Sequence, residues 1–119
     1  MIETGAVLLR VSDVETSRGF YEGLLGFRQV GAQTGIGLEL GIPGLVLLLV
    51  PRPPDMRKPE TDPFGWLGLA LLVADIEASK AALEGQGIVF EGETVDLPAG
   101  RVAFFRDPDG YTLGLIERV

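Results

Sequence analysis

Apolar residues recur along this chain in two periods, one typical of strands and the other of helices. Short apolar runs at Val7–Val11 and Leu69–Val73 predict buried strands. After the first run, Val14, Phe20, Tyr21 and Leu24 recur at about 3.6 residues per turn, which predicts an amphipathic helix. After the second run, Ile76, Ala82 and Leu83 predict another helix in the same way. The pattern therefore contains two strand–helix units.

Both predicted helices carry start and stop signals. Asp13 and Asp75 stand where an N-cap carboxylate accepts hydrogen bonds from the first free backbone N–H groups. Gly26 and Gly87 stand where a glycine commonly ends a helix.

The two units are also similar in sequence. When residues 6–23 are aligned with residues 68–85, seven of the 18 pairs are identical, including Asp13/Asp75 and Glu15/Glu77. Two helices that merely begin alike would not share residues on their solvent side. The alignment therefore indicates an internal repeat.

Three further strands are predicted after each helix. In the first half they are Phe27–Val30, Ile36–Leu40 and Leu45–Val50; in the second they are Val89–Glu91, Arg101–Phe105 and Tyr111–Glu117. Ile42-Pro43-Gly44 and Asp107-Pro108-Asp109-Gly110 are the matching turns. Each half is thus a βαβββ module. We expect one α+β domain over residues 1–119, with module 1 at 1–50, a proline-rich connector at 51–65 and module 2 at 66–119.

Composition narrows the chemistry. Among 119 residues there is no cysteine and no histidine, so thiolate nucleophiles, Cys-ligated metals and imidazole-based catalysis are excluded. The net charge of −7 repels phosphate backbones, so no nucleic-acid partner is expected. No apolar run approaches the ~20 residues of a membrane span, and the first residues lack signal-peptide features. We therefore expect a cytoplasmic protein with no membrane partner.

The chain resembles the vicinal oxygen chelate superfamily in three features: its duplicated modules, FYEGLLGF at Phe20–Phe27, and FFRDPDGYTLGL near the end. That superfamily includes glyoxalase I, extradiol dioxygenases and bleomycin-resistance proteins. The resemblance covers nearly the whole chain. It implies that the paired modules curl their mixed sheets into a cup, usually within a homodimer.

The resemblance also implies a divalent metal held by side chains that point into the cup. In its enzymes a histidine stands seven residues before each helix-opening aspartate, and a glutamate stands seven residues after the first aspartate of the DPDG turn. In this chain the two histidine positions are Ala6 and Gly68, and the glutamate position is Gly114. Leu48 is the residue of module 1 equivalent to Gly114, and none of these four residues has a side chain that binds metal. We therefore expect no metal and no cofactor, with Glu39 and Glu117 as the nearest strand carboxylates.

Strand alternation predicts which side chains line the cup. The predicted ligand-binding residues are small or apolar, apart from one arginine, one hydroxyl and two flanking aromatics: Leu8, Arg10, Leu48, Phe64, Trp66, Ala70, Leu72, Thr112 and Ile116. Arg10 either meets a ligand carboxylate or pairs with a strand acid such as Glu39. Phe64 and Trp66 either stack on a ligand or anchor the connector.

Three functions are consistent with this sequence. The first is a metal-free binding protein, similar to bleomycin-resistance proteins, that holds a small apolar or cationic organic molecule. The second is a lyase, isomerase or dioxygenase of the superfamily with an unusual or absent metal site. The third is a structural dimer whose cup is filled by side chains. The missing metal ligands favour the first, and the ligand's identity lies beyond the sequence.

Overall fold

The structure is a computed structural model and describes residues 1–31, 37–53, 68–98 and 100–118. The chain forms two compact units, Met1–Met56 and Arg57–Val119. Their boundary falls inside the predicted connector at residues 51–65.

The first unit is a βαβββ module. Strand β1 (Val7–Val11) leads into helix α1 (Val14–Arg18), which continues as a π-helical segment over Gly19–Leu24. Strands β2 (Arg28–Gln29), β3 (Leu38–Ile42) and β4 (Leu45–Pro51) follow. Within the described residues they form a sheet of order β1-β4-β3-β2, in which β1 and β4 run parallel.

The second unit repeats this architecture. Strand β5 (Gly68–Leu72) leads into helix α2 (Ile76–Gly85), and strands β6 (Glu91–Leu97), β7 (Gly100–Arg106) and β8 (Thr112–Arg118) follow. The described sheet has the order β5-β8-β7-β6, and β5 and β8 run parallel. The identical strand order of the two sheets confirms the α+β fold and the repeated module predicted from the sequence.

The predicted helix caps are confirmed. Oδ1 of Asp13 accepts hydrogen bonds from the backbone N–H groups of Glu15 and Thr16, at 2.9 and 3.2 Å. Oδ1 of Asp75 accepts from Ala78 at 3.1 Å. Just beyond the two helices, Gly26 and Gly87 have φ angles of 82° and 95°, which few residues other than glycine adopt.

Each sheet buries one apolar face. In the first unit the leucines Leu9, Leu47 and Leu49 are fully buried. The Tyr21 ring meets the Phe27 ring edge-on, with centroids 5.5 Å apart. In the second unit the buried residues include Leu69, Leu71, Ile76, Phe105, Leu113 and Leu115. Because side chains alternate along a strand, this burial turns the intervening residues to the opposite face.

One strand prediction is wrong. The run Val89–Glu91 is not a strand; Val89 is 82% exposed, and β6 begins only at Glu91. Strand β6 has the polar sequence EGETVDL, and its pairing with β7 is irregular between Glu91 and Val95. A polar edge strand lacks the apolar alternation that marks strands in a sequence. Other strand ends differ from prediction by one or two residues, and Ile36 lies outside the described residues.

The turn between β7 and β8 is organised by a buried carboxylate. Asp107 is 5% exposed, and its Oδ1 accepts hydrogen bonds from the backbone N–H groups of Asp109 and Tyr111, both at 2.9 Å. The backbone of Gly110 donates to the Asp107 carbonyl at 3.0 Å. Asp107 is therefore a turn former, as the DPDG sequence predicts.

No helix in the described ranges is both long and apolar enough to cross a bilayer.

We predict that Asp107→Ala lowers the free energy of unfolding by about 3 kcal/mol, because two buried N–H groups lose a charged acceptor. Asp107→Asn retains an acceptor oxygen and should lose less than half of that. Urea denaturation monitored by circular dichroism measures both. Equal stability of the Ala and Asn variants would contradict this role of the carboxylate.

Candidate functional site

The second unit presents an open sheet face on the side opposite α2. The strand register places Gly68 beside Thr112, and Ala70 beside Gly114. Gly114 in turn lies beside Phe104 on β7. The centre of this face therefore has almost no side-chain volume on β5 and β8.

A concave pocket of about 370 Å³ lies on this face. Its lining is hydrocarbon and backbone apart from one hydroxyl: Gly68, Leu69, Ala70, Leu97, Val102, Phe104, Thr112, Gly114 and Ile116. Of the residues predicted to bind a ligand, Ala70, Thr112 and Ile116 line the pocket. Leu72 pairs with Ile116 and is 56% exposed, but it does not line the pocket.

Phe104 forms one wall of the pocket. A Cβ atom on Gly114 would lie 3.4 Å from Cε1 and 3.5 Å from Cδ1 of the Phe104 ring. A Cβ at position 114 would therefore just touch the ring, and 40% of Phe104 remains exposed. Phe104 is not among the residues that the sequence predicts to bind a ligand. The available signal was strand alternation, because Phe105 is buried and its neighbour must therefore face the other way.

Thr112 provides the polar atom of the lining. Its Oγ1 is buried and has no hydrogen-bond partner among the residues that the structure describes. A buried hydroxyl without a partner costs about 1–3 kcal/mol. Because Oγ1 is buried, it can pair with a ligand only after the side chain rotates about the Cα–Cβ bond.

Two arginines of the second unit pair with carboxylates, and none of these residues is among the described residues that line the pocket. Arg101 contacts Asp96 at 3.0 Å and Glu77 at 2.9 Å. The hydrogen bond that Arg101 donates to the Asp96 carboxylate is the main cause that raises the pKa of Arg101. Arg106 donates to Glu91 at 2.5 Å and to the Gly110 carbonyl at 2.8 Å. The nine described lining residues carry no charged side chain.

In the first unit the equivalent positions carry larger side chains. Leu8 lies beside Leu48, and Leu48 lies beside Glu39. In the second unit the same row across three strands consists of Ala70, Gly114 and Phe104. Leu8 is 46% exposed, and Arg10 and Leu48 are half-buried. Ala6 lines a separate, shallower depression of about 320 Å³. Phe64 and Trp66 lie outside the described residues.

Two compact βαβββ units, one of which carries an apolar pocket on its sheet, define a class of small proteins built by duplication. A sequence profile of the Glyoxalase/Bleomycin resistance protein/Dioxygenase superfamily matches residues 4–115. The chain belongs to this superfamily.

Individual relatives differ in what they are described as doing. TnmS3, an antibiotic binding protein from Streptomyces sp. CB03234, has a solved structure with a TM-score of 0.76 and 31% identity, covering 100% of this chain and 99% of its own. Lactoylglutathione lyase from Pseudomonas putida is 25% identical, over 92% of this chain and 82% of its own length. The uncharacterized protein YaeR from Escherichia coli K12 is 31% identical, over 94% and 93%.

The metal that the superfamily resemblance implies does not fit the residues present. Ala6, Leu48, Gly68 and Gly114 offer no oxygen, nitrogen or sulfur ligand atom from a side chain. Glu117 does not substitute for them, since its Oε2 accepts a hydrogen bond from the Ile76 N–H at the start of α2, at 2.8 Å. In the described part of the chain, no group of three or more His, Cys, Asp or Glu residues is placed to hold a metal ion.

We predict that Gly114→Leu destabilises the protein by about 1–3 kcal/mol, because a Cβ there already touches the Phe104 ring and the longer leucine side chain crowds it. Gly68→Leu is the matched control, since a Cβ there would meet no atom within 4 Å. Its free energy of unfolding should stay within about 0.5 kcal/mol of the parent.

A double-mutant cycle tests the cause of that loss. In a Phe104→Ala background, Gly114→Leu should cost less stability than in the parent. If the cost is the same in both backgrounds, the ring is not what excludes a side chain from position 114.

Proposed function

We propose that this protein binds a small organic molecule without catalysing its conversion and without using a metal. The observation that carries the proposal is the lining of the pocket on the second sheet. Where the superfamily resemblance implies metal ligands, Gly68 and Gly114 leave open space bounded by Ala70, Phe104 and Ile116. Ligand pockets are typically apolar with a few placed polar groups, and this lining has that composition.

The similarity to TnmS3 supports a binding role, since that protein is described as an antibiotic binding protein and aligns over the whole of this chain. A shared fold does not by itself transfer a function, so the pocket carries more weight than the likeness. The similarity to lactoylglutathione lyase favours an enzyme instead. The residues at the expected metal-ligand positions argue against metal-assisted chemistry of that kind in this chain, because their side chains cannot coordinate a metal ion.

Charge restricts the ligand. The net charge of −7 disfavours anions near the protein. The described residues of the pocket lining include no carboxylate for a cation, and an unpaired charge is costly to bury. A neutral ring system fits the pocket best, with any cationic group at its edge in contact with solvent.

The proposal includes a homodimer, the usual state that the superfamily resemblance implies. Sedimentation equilibrium of the purified chain tests it: a mass of one chain over the micromolar range would remove the dimer from the proposal and leave the pocket in place.

We predict that purified protein carries well below one metal ion per chain by inductively coupled plasma mass spectrometry, and that a chelator leaves its melting temperature unchanged. When the melting temperature is measured with small molecules added, 2-naphthol, a neutral ring system, should raise it, while 2-naphthoate should not. The cation 2-naphthylmethylammonium should fall between them.

Matched variants locate the effect. Gly68→Leu adds a side chain inside the pocket and should abolish the shift caused by 2-naphthol. Gly85→Leu adds the same side chain at an exposed position on α2, where a Cβ would meet no atom within 4 Å, and should leave the shift intact. Stoichiometric metal with chelator-sensitive stability would support the enzyme instead, and stability unaffected by every compound would support a structural dimer.

A further inference from the structure

Small residues form the floor of the pocket, and one aromatic ring forms a wall. Ala70 and Gly114 lie side by side on parallel strands, and together they contribute a single methyl group to the floor. The Phe104 ring stands next to Gly114 and keeps 40% of its surface exposed. A planar ring can lie on such a floor with its edge or face against Phe104, which are the arrangements that aromatic pairs prefer.

The polar feature of the pocket lies at one end of this floor. Thr112 precedes Gly114 by two residues on β8, so both face the same side of the sheet. The Thr112 hydroxyl is the only polar side-chain group among the nine lining residues, and in the described part of the chain its Oγ1 has no hydrogen-bond partner. Oγ1 itself is buried, so its pairing with a ligand requires a rotation about the Cα–Cβ bond that turns the hydroxyl toward the pocket.

We infer that Thr112 determines the ligand's polar substituent: the pocket selects a neutral, planar aromatic molecule that carries one hydroxyl or carbonyl group at its edge, paired with Thr112 Oγ1. This inference rests on the proposed function, because it specifies the ligand class of the same pocket. A hydroxyl both donates and accepts hydrogen bonds, so Thr112 suits either substituent. The apolar remainder of the lining would leave a second polar group on the ligand without a partner.

The experiment compares two ligands of similar shape, 2-naphthol and 2-methylnaphthalene, which differ in one hydroxyl. Dissociation constants come from ¹H–¹⁵N chemical-shift titrations of the whole chain, in which the amides of Thr112 and Gly114 also report where the probe binds. The quantity of interest is the ratio of the two dissociation constants, because the general hydrophobic contribution of the naphthalene ring cancels in it.

Thr112→Val removes the hydroxyl and keeps the branched shape of the side chain. We expect it to shift the ratio by about five-fold against 2-naphthol, the equivalent of one net hydrogen bond. Thr112→Ser retains the hydroxyl and should keep the parent ratio. Phe104→Leu should weaken both probes and leave the ratio unchanged, which separates the aromatic wall from the polar contact.

The possible outcomes separate the two proposals. If both probes bind in this pocket and Thr112→Val leaves the ratio unchanged, the role of Thr112 is overturned while the binding function stands. If neither probe shifts the pocket amides, the proposed function fails at this pocket and the inference fails with it. A ratio that shifts in the Val variant and is kept in the Ser variant supports the assignment.

Discussion

The parallel pairing of the first and last strands of each module decides which residues meet on its open face. In the second unit the core face buries Leu69, Leu71, Leu113 and Leu115. Because side chains alternate along a strand, the residues between them must lie on the open face. The register then sets Ala70 directly beside Gly114 in the second unit, and Leu8 directly beside Leu48 in the first. A pocket can therefore form in the second unit because two small residues are neighbours across strands, although they are 44 positions apart in sequence (114 − 70).

Gly114 and Phe104 are best understood as one structural feature. A glycine in a strand interior weakens the strand unless something packs closely against its backbone. Here the Phe104 ring lies beside Gly114, at a distance that would be ordinary contact for a Cβ on that residue. In the first unit the corresponding residues are Leu48 and Glu39. Leu48 places a large side chain where the second unit has Gly114, and Glu39 exposes a carboxylate where the second unit has Phe104. The two modules thus have the same strand order and differ in the side chains on their open faces, so they differ in what those faces can bind.

Much of this fold follows from local chemistry that a sequence displays. Asp13, Asp75 and the DPDG turn each satisfy backbone groups within a few residues, so their roles are predictable without knowledge of distant partners. Strand β6 could not be predicted because its polar edge sequence carries no apolar period. Phe104 was missed for a different reason: alternation gives the face of a side chain, but which neighbour it covers depends on the register between β7 and β8. Whether Thr112 Oγ1 has a partner likewise depends on the atoms around it, and among the described residues it has none.

An apolar pocket and a metal site place opposite demands on the same strand positions. A carboxylate at position 114 would have to project past the Phe104 ring into a lining of hydrocarbon, where a charge without partners is strongly disfavoured. Such a carboxylate becomes favourable only when a cation and further ligands arrive with it, and the equivalent positions Ala6, Leu48 and Gly68 supply none. A single substitution toward the metal-binding pattern therefore costs stability before any metal site is complete. The present residues form a self-consistent alternative, in which small side chains at the centre of the sheet make room for a ligand that hydrocarbon can bind.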